Sequence, residues 1–115
     1  MKSKHSVKSY IYEIIFQIKL LGLVTLSSDQ DPSVRSASFM GMAHVVISSK
    51  SSTETREKAA FQLVSFISAV HEVVIEVHLS AIEAIGFIVC KDVCPQKLRD
   101  DLFLPKLQEF LTTIK

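Results

Sequence analysis

Val34-Arg35-Ser36-Ala37-Ser38-Phe39-Met40-Gly41-Met42-Ala43-His44-Val45 can be laid, almost position by position, over Val77-His78-Leu79-Ser80-Ala81-Ile82-Glu83-Ala84-Ile85-Gly86-Phe87-Ile88, 43 residues further along the chain. Both stretches read apolar, cation-capable, variable, small, small, apolar, variable, small, apolar, small, variable, apolar. Self-similarity at a period of roughly 20–50 residues marks architectures in which each unit buries its apolar face only against its neighbours. The small side chains have their own physical reason. Ala, Ser and Gly recurring within one helix let it approach its neighbours toward the lower end of the usual interaxial distance of about 8–10 Å.

Helical periodicity extends outward from both copies. Val7, Tyr10, Ile11, Ile14, Ile15, Ile18 and Leu21 follow the three-and-four spacing of an amphipathic helix running to about Leu26, and Phe16, Leu20, Leu23 and Val24 widen the stripe toward all-round burial. Ser27 to Asp31 breaks the pattern, with Asp31 as N-cap and Pro32 at the first helical position of a second helix ending near Ser48. Ser51 with Glu54 fits a capping box for a third helix, and Thr53 is an equal candidate cap. The turn at Val70 to Val73 has neither Gly nor Pro and is placed by the 43-residue offset. The β-branched Val73, Val74, Ile75 and Val77 argue for a strand, but the uninterrupted run from His71 to Cys90 is too long for one. A fourth helix therefore stops before Pro95. A fifth spans Gln96 to Ile114, kinked at Pro105 unless that residue opens a shorter helix. The reading is all-α, with five helices.

At this point the chain resembles the HEAT-repeat family of armadillo-type α-solenoids. Asp29-Gln30-Asp31-Pro32-Ser33-Val34-Arg35, followed by Ala37 and Ser38, matches the opening of that family's second helix; Val77, Ala81 and Gly86 match it in the second unit, and Pro105 fits the proline of a first helix. The resemblance implies a single domain over 1–115, an α-α superhelix of about two and a half hairpins, with repeats at 7–48 and 52–92 and a partial one at 96–114. It also implies a ladder between repeats, formed by the acid of the turn and the basic residue six positions later. Asp29 and Arg35 fit those positions in the first unit, and Glu72 and His78 occupy them in the second. If His78 pairs with the Glu72 carboxylate, that rung weakens as pH rises through the histidine's titration range.

Bulk properties narrow the function. Residues of the AVILMFWYC set make up 48%, charged residues 22%, and the net charge is +1. That balance is globular and lacks the strongly basic face of a polyanion binder. The only basic cluster is Lys2, Lys4, His5 and Lys8, which keeps a nucleic-acid-associated helical-repeat protein as the rival reading. Glu13 and Lys19 interrupt the apolar N-terminal run, and each costs roughly 2–3.5 kcal/mol at a bilayer centre, so no membrane span is expected. Without a secretory signal, Cys90 and Cys94 read as reduced thiols of a cytoplasmic or nuclear protein.

Chemistry-bearing constellations are few. His71, His78, Cys90 and Cys94 have the donor types of a zinc site, but about 18 Å of helix separates the two pairs. Cys90 sits among apolar neighbours where a thiol is inert, and Cys94, expected to be the more exposed, has no histidine near it in sequence. No phosphate-cradling glycine loop and no His-Glu-x-x-His pair is present. The expectation is a non-enzymatic protein–protein interaction scaffold, a segment or short form of a longer HEAT-repeat protein, with no cofactor and no metal. Its candidate partner-binding residues are Arg35, Ser38, Met42 and Glu83 on the second helices, and Leu104, Leu107 and Leu111 in the unpaired fifth helix, whose apolar face also invites self-association through the ends of the stack. A plain helical bundle, folded around one centre, is the alternative architecture.

Overall fold

The computed structural model describes residues 6–67 and 72–113. Its helices are α1 (Val7–Leu26), α2 (Pro32–Ile47), α3 (Thr53–Ile67), α4 (Ile75–Val89), α5 (Gln96–Leu98) and α6 (Leu104–Thr113), with a π-helical turn over Arg99–Phe103 joining the last two. Among the described residues there is no strand. The β-branched run resolves accordingly, with Val73 and Val74 leading into α4 while Ile75 and Val77 belong to it.

Local chemistry sets the helix starts. Ser6 caps α1 by accepting the Ser9 amide at 3.1 Å. Asp31 caps α2 with Pro32 behind it, accepting the amide and the hydroxyl of Ser33 at 2.9 and 2.8 Å. Those bonds, the hydroxyl first, hold the Asp31 carboxyl below its ordinary range. The cap of α3 is Ser52, which accepts the Thr55 amide at 3.1 Å, and neither Ser51 nor Thr53 takes that role. The expected box was one residue out of register because Ser51 turns inward instead, and it is 6% exposed.

The segment around Pro105 runs on without a break from Gln96. Proline lacks an amide hydrogen and its ring clashes with the carbonyl four residues back, here Asp101. The turn before it is widened, so that the Leu104 amide bonds back to the Arg99 carbonyl. One inserted residue lets the helix pass the proline, the usual way a π-turn is accommodated.

The helices pack as neighbours in chain order, with α1 also touching α3 and the C-terminal segment returning to α3. α2 lies against α1 and α3, α3 against α4, and the π-turn reaches α3 and α4, while the most extensive packing of all is between α2 and α4. Near their N-termini Arg35 of α2 bonds Glu72 just ahead of α4, and near their C-termini the rings of His44 and Phe87 sit 5.4 Å apart. The two helices therefore run side by side in the same direction. The molecule measures 52 × 31 × 18 Å, a slab whose thin dimension is under two helix diameters.

Burial follows the internal repeat. Ser38 and Ala81 are 1% and 0% exposed, Met42 and Ile85 are both fully buried, and Val45 and Ile88 are at 2% and 0%. Ala37 is exposed and its counterpart Ser80 half-buried, so one small residue of each pair faces the packing and the other faces out. Phe39, Leu63 and Phe103 complete a core drawn from α1 to α5 and the π-turn, with Leu107 and Phe110 of α6 packed against it. Of the three glycines only Gly41 has a packing reason: a Cβ there would lie 2.5 Å from a methyl of Leu23 on α1, whereas nothing lies within 4 Å at Gly22 or Gly86.

The first helix departs from its expected orientation. Leu20 is its one buried residue, with Phe16, Leu23 and Val24 half-buried beside it. The stripe read as its core face, Val7, Tyr10, Ile11, Ile14, Ile15, Ile18 and Leu21, is 40–76% exposed. A helix apolar on two faces satisfies the same period either way round, and the structure buries the smaller face. By length and composition α1 is also long and apolar enough to cross a membrane.

Candidate functional site

At one end of the slab, the Arg35 guanidinium ties the start of α2 to the segment that leads into α4. Nε and Nη2 donate to the two carboxylate oxygens of Glu72, both at 2.9 Å. Nη1 donates to the backbone carbonyls of Asp29 (2.8 Å) and Gln30 (3.1 Å). This two-pronged geometry is the strong form of an arginine–carboxylate pair. The side chains are 16% and 8% exposed, so solvent screens them little. Arg35, by its hydrogen bonds, holds the Glu72 carboxyl below its ordinary range, and Glu72 in turn raises the guanidinium's pKa.

The other ladder residues sit around this pair. The Asp29 carboxylate accepts its neighbour Asp31's amide at 2.8 Å and meets Arg35 only through its backbone. His78 Nε2 lies 2.9 Å from the Glu72 carbonyl oxygen, not from its carboxylate, which Arg35 occupies. The carboxylate–histidine pairing expected from the sequence is therefore absent at His78, and its pH argument goes with it. The Arg35–Glu72 contact spans 37 residues. It was legible only by moving Asp29 forward one repeat, to position 72.

The partner-binding candidates divide by exposure. Ser38 and Met42, at 1% and 0%, point into the core and present nothing to another molecule. Arg35 is committed to Glu72. Glu83 is exposed on α4. It shares the outer side of the α2–α4 pair with Ala37, Met40 and His44 of α2 and Leu79 of α4, all exposed. Of the methionines of α2, Met40 and Met42 are two residues apart, and only the first points out. In α6, Leu104 and Leu111 are 40% and 67% exposed, while Leu107 packs against the core with Phe110 and Leu102. The apolar patch foreseen there is thus smaller than its sequence.

Two surface features were not anticipated. One is the exposed ridge of α1. The other is a groove of about 460 Å³ between α1 and α3, lined by Gln17, Leu20, Leu21, Val24, Lys58 and Phe61 among others. Phe61 on its lip is 58% exposed.

The thiols exchange the environments expected of them. Cys90 is exposed at the end of α4 and Cys94 is 5% exposed, because the chain turns back after Val89 and tucks Cys94 beneath itself. Burial pushes the Cys94 thiol up from its ordinary range. Among the described residues no three of His, Cys, Asp and Glu converge as metal ligands, and His71 lies outside them, as do Lys2, Lys4 and His5. No family model, curated protein or solved structure matches this chain.

Proposed function

We propose that this protein is a non-enzymatic protein-interaction scaffold built from HEAT-like helical hairpins. The observation that carries the reading is the α2–α4 pair. Two helices with matching residues at matching burial lie side by side, joined by a partly buried arginine–carboxylate bridge from one unit to the next. Stacks of this kind offer long, shallow faces suited to macromolecules rather than to small substrates. The outer face of α2 and α4 alternates small and adaptable residues (Ala37, Met40, Leu79) with the acidic Glu76 and Glu83, all exposed. That mixture fits a partner helix or extended segment of apolar and basic character, with methionine supplying a surface that adjusts to its occupant.

The test is site-specific crosslinking. A photoreactive residue placed at Met40 or Leu79 should capture a discrete partner from cell extract, and the charge reversal Glu83→Lys should reduce that capture while leaving helicity unchanged. A probe at Asp92, an exposed residue beyond the end of α4, serves as the control. Equal capture at all three positions, or none at Met40 and Leu79, ends the proposal.

A further inference from the structure

The exposed ridge of α1 has a more regular spacing than an accidental apolar surface. Val7, Ile11, Ile14, Ile18 and Leu21 recur at intervals of four, three, four and three, and they are 76%, 50%, 58%, 65% and 70% exposed. That is the repeat of a coiled-coil seam, with isoleucine at both successive first positions of the heptad. Tyr10 and Ile15 flank it, at 58% and 40%.

No charge interrupts the ridge. The acidic residue of α1, Glu13, turns toward α3, where the hydroxyls of Ser52 and Thr55 reach its Oε2 at 3.2 and 3.3 Å. Lys8 and Lys19 fold back over the rings of Tyr12 and Phe16, at 6.0 and 5.0 Å from their centroids. At those exposures the seven ridge side chains leave on the order of 700–800 Å² of apolar surface in water. Monomers rarely show a contiguous patch above about 600 Å², and one side of a standard interface buries about 800 Å².

We infer that α1 is a self-association seam, and that its occupant is the α1 ridge of a second copy of this chain, related by a two-fold axis. The area matches what a stable dimer needs. The occupant must be uncharged along five heptad positions, which a second ridge supplies, since a two-fold interface pairs one patch with itself. A lipid surface fits less well. Interfacial helices carry a charged face opposite the apolar one, whereas the opposite face of α1 is packed on α2 and α3. The inference uses no residue of the α2–α4 face, so it stands or falls apart from the scaffold reading.

Sedimentation equilibrium of the full chain over nanomolar to high micromolar concentration tests it. The expected result is a dimer at micromolar concentration. The double variant Ile14→Glu/Ile18→Glu should raise the dissociation constant at least about 100-fold, as removal of central anchors does, with unchanged helicity by circular dichroism. Asp92→Lys, at an exposed residue beyond the end of α4, should leave it alone. A monomer at every concentration overturns the inference, and so does a dimer indifferent to the ridge charges. Flotation with phosphatidylcholine–phosphatidylserine vesicles by a chain that stays monomeric overturns it in favour of lipid.

Discussion

Glu72 is the residue on which the contact between α2 and the start of α4 turns. Its carboxylate takes both forks of Arg35 and the Val74 amide at 3.1 Å, so Glu72→Gln loses the charge but keeps the shape. The expected cost is about 1–2 kcal/mol, between the limits for exposed and buried pairs, read as a lower urea midpoint at pH 7. The pH dependence has a definite sign. The folded carboxyl sits below its ordinary value of 4.5, so its contribution is fully present above that value and is lost as pH falls through the lower folded one. The difference in stability between wild type and Glu72→Gln should therefore be flat at neutral pH and close progressively below about pH 4.5. A gap that stayed constant into acid would remove the ion pair from the account. The glycines make a second residue-scale prediction. Gly86→Ala meets open space in α4 and should stabilise by about 1 kcal/mol through backbone entropy alone, whereas Gly41→Ala must displace Leu23 and should gain much less. Thermal melts of the two variants separate these outcomes. Residue chemistry was partly legible in advance: Asp31–Pro32 announces a helix start by its own bonding, while Ser52 was hidden among neighbouring hydroxyls able to do the same work.

At the scale of the element, α1 shows where sequence periodicity runs out. Its helical character follows from spacing, but its orientation does not, because Ile14, Ile18 and Leu21 offer a richer apolar stripe than Phe16, Leu20 and Leu23. What selects the second face is shape and polarity supplied from elsewhere. Leu23 fits the gap at Gly41, and Glu13 needs the hydroxyls that Ser52 and Thr55 bring at the start of α3. Neither partner is within 15 residues of its counterpart on α1, so no local window contains the answer. The inversion is measurable. Leu20→Ala should cost about 2–4 kcal/mol, and Ile18→Ala less than about 0.5 kcal/mol when measured at dilutions where the chain is monomeric. Equal costs would mean that α1 rolls between its two faces. The cysteines were misjudged for a related reason. Cys94 precedes a proline beyond a helix end, a setting that reads as exposed, but the return of the chain toward α5 buries it. A thiol reagent should modify Cys90 in the native protein and reach Cys94 only on unfolding.

For the whole molecule the question is whether the hairpins fold as separate units or as one. The 43-residue echo made the all-helical class and the pairing of equivalent positions readable, since burial tracks it at Ser38 and Ala81 and at Met42 and Ile85. It said nothing of how far the core continues. The core passes without interruption from Leu20 on α1 through Phe39, Leu63 and Ile85 to Leu98 and Phe103, and Phe103 is fully buried although it lies in a widened turn near the far end. A stack of weakly coupled units would let the last segment melt first, whereas a shared core ties its fate to the first helix. The chain carries its own probe for this: it has no tryptophan, and its two tyrosines, Tyr10 and Tyr12, are both in α1. Phe103→Ala should cost about 3–5 kcal/mol. If the core acts as one, urea transitions followed by tyrosine fluorescence and by helical circular dichroism should move together in this variant, despite the length of slab between the mutation and the reporter. If dichroism shifts while fluorescence keeps the wild-type midpoint, α1 and its hairpin are independent of the C-terminal helices. The continuous core would then be contact without cooperativity.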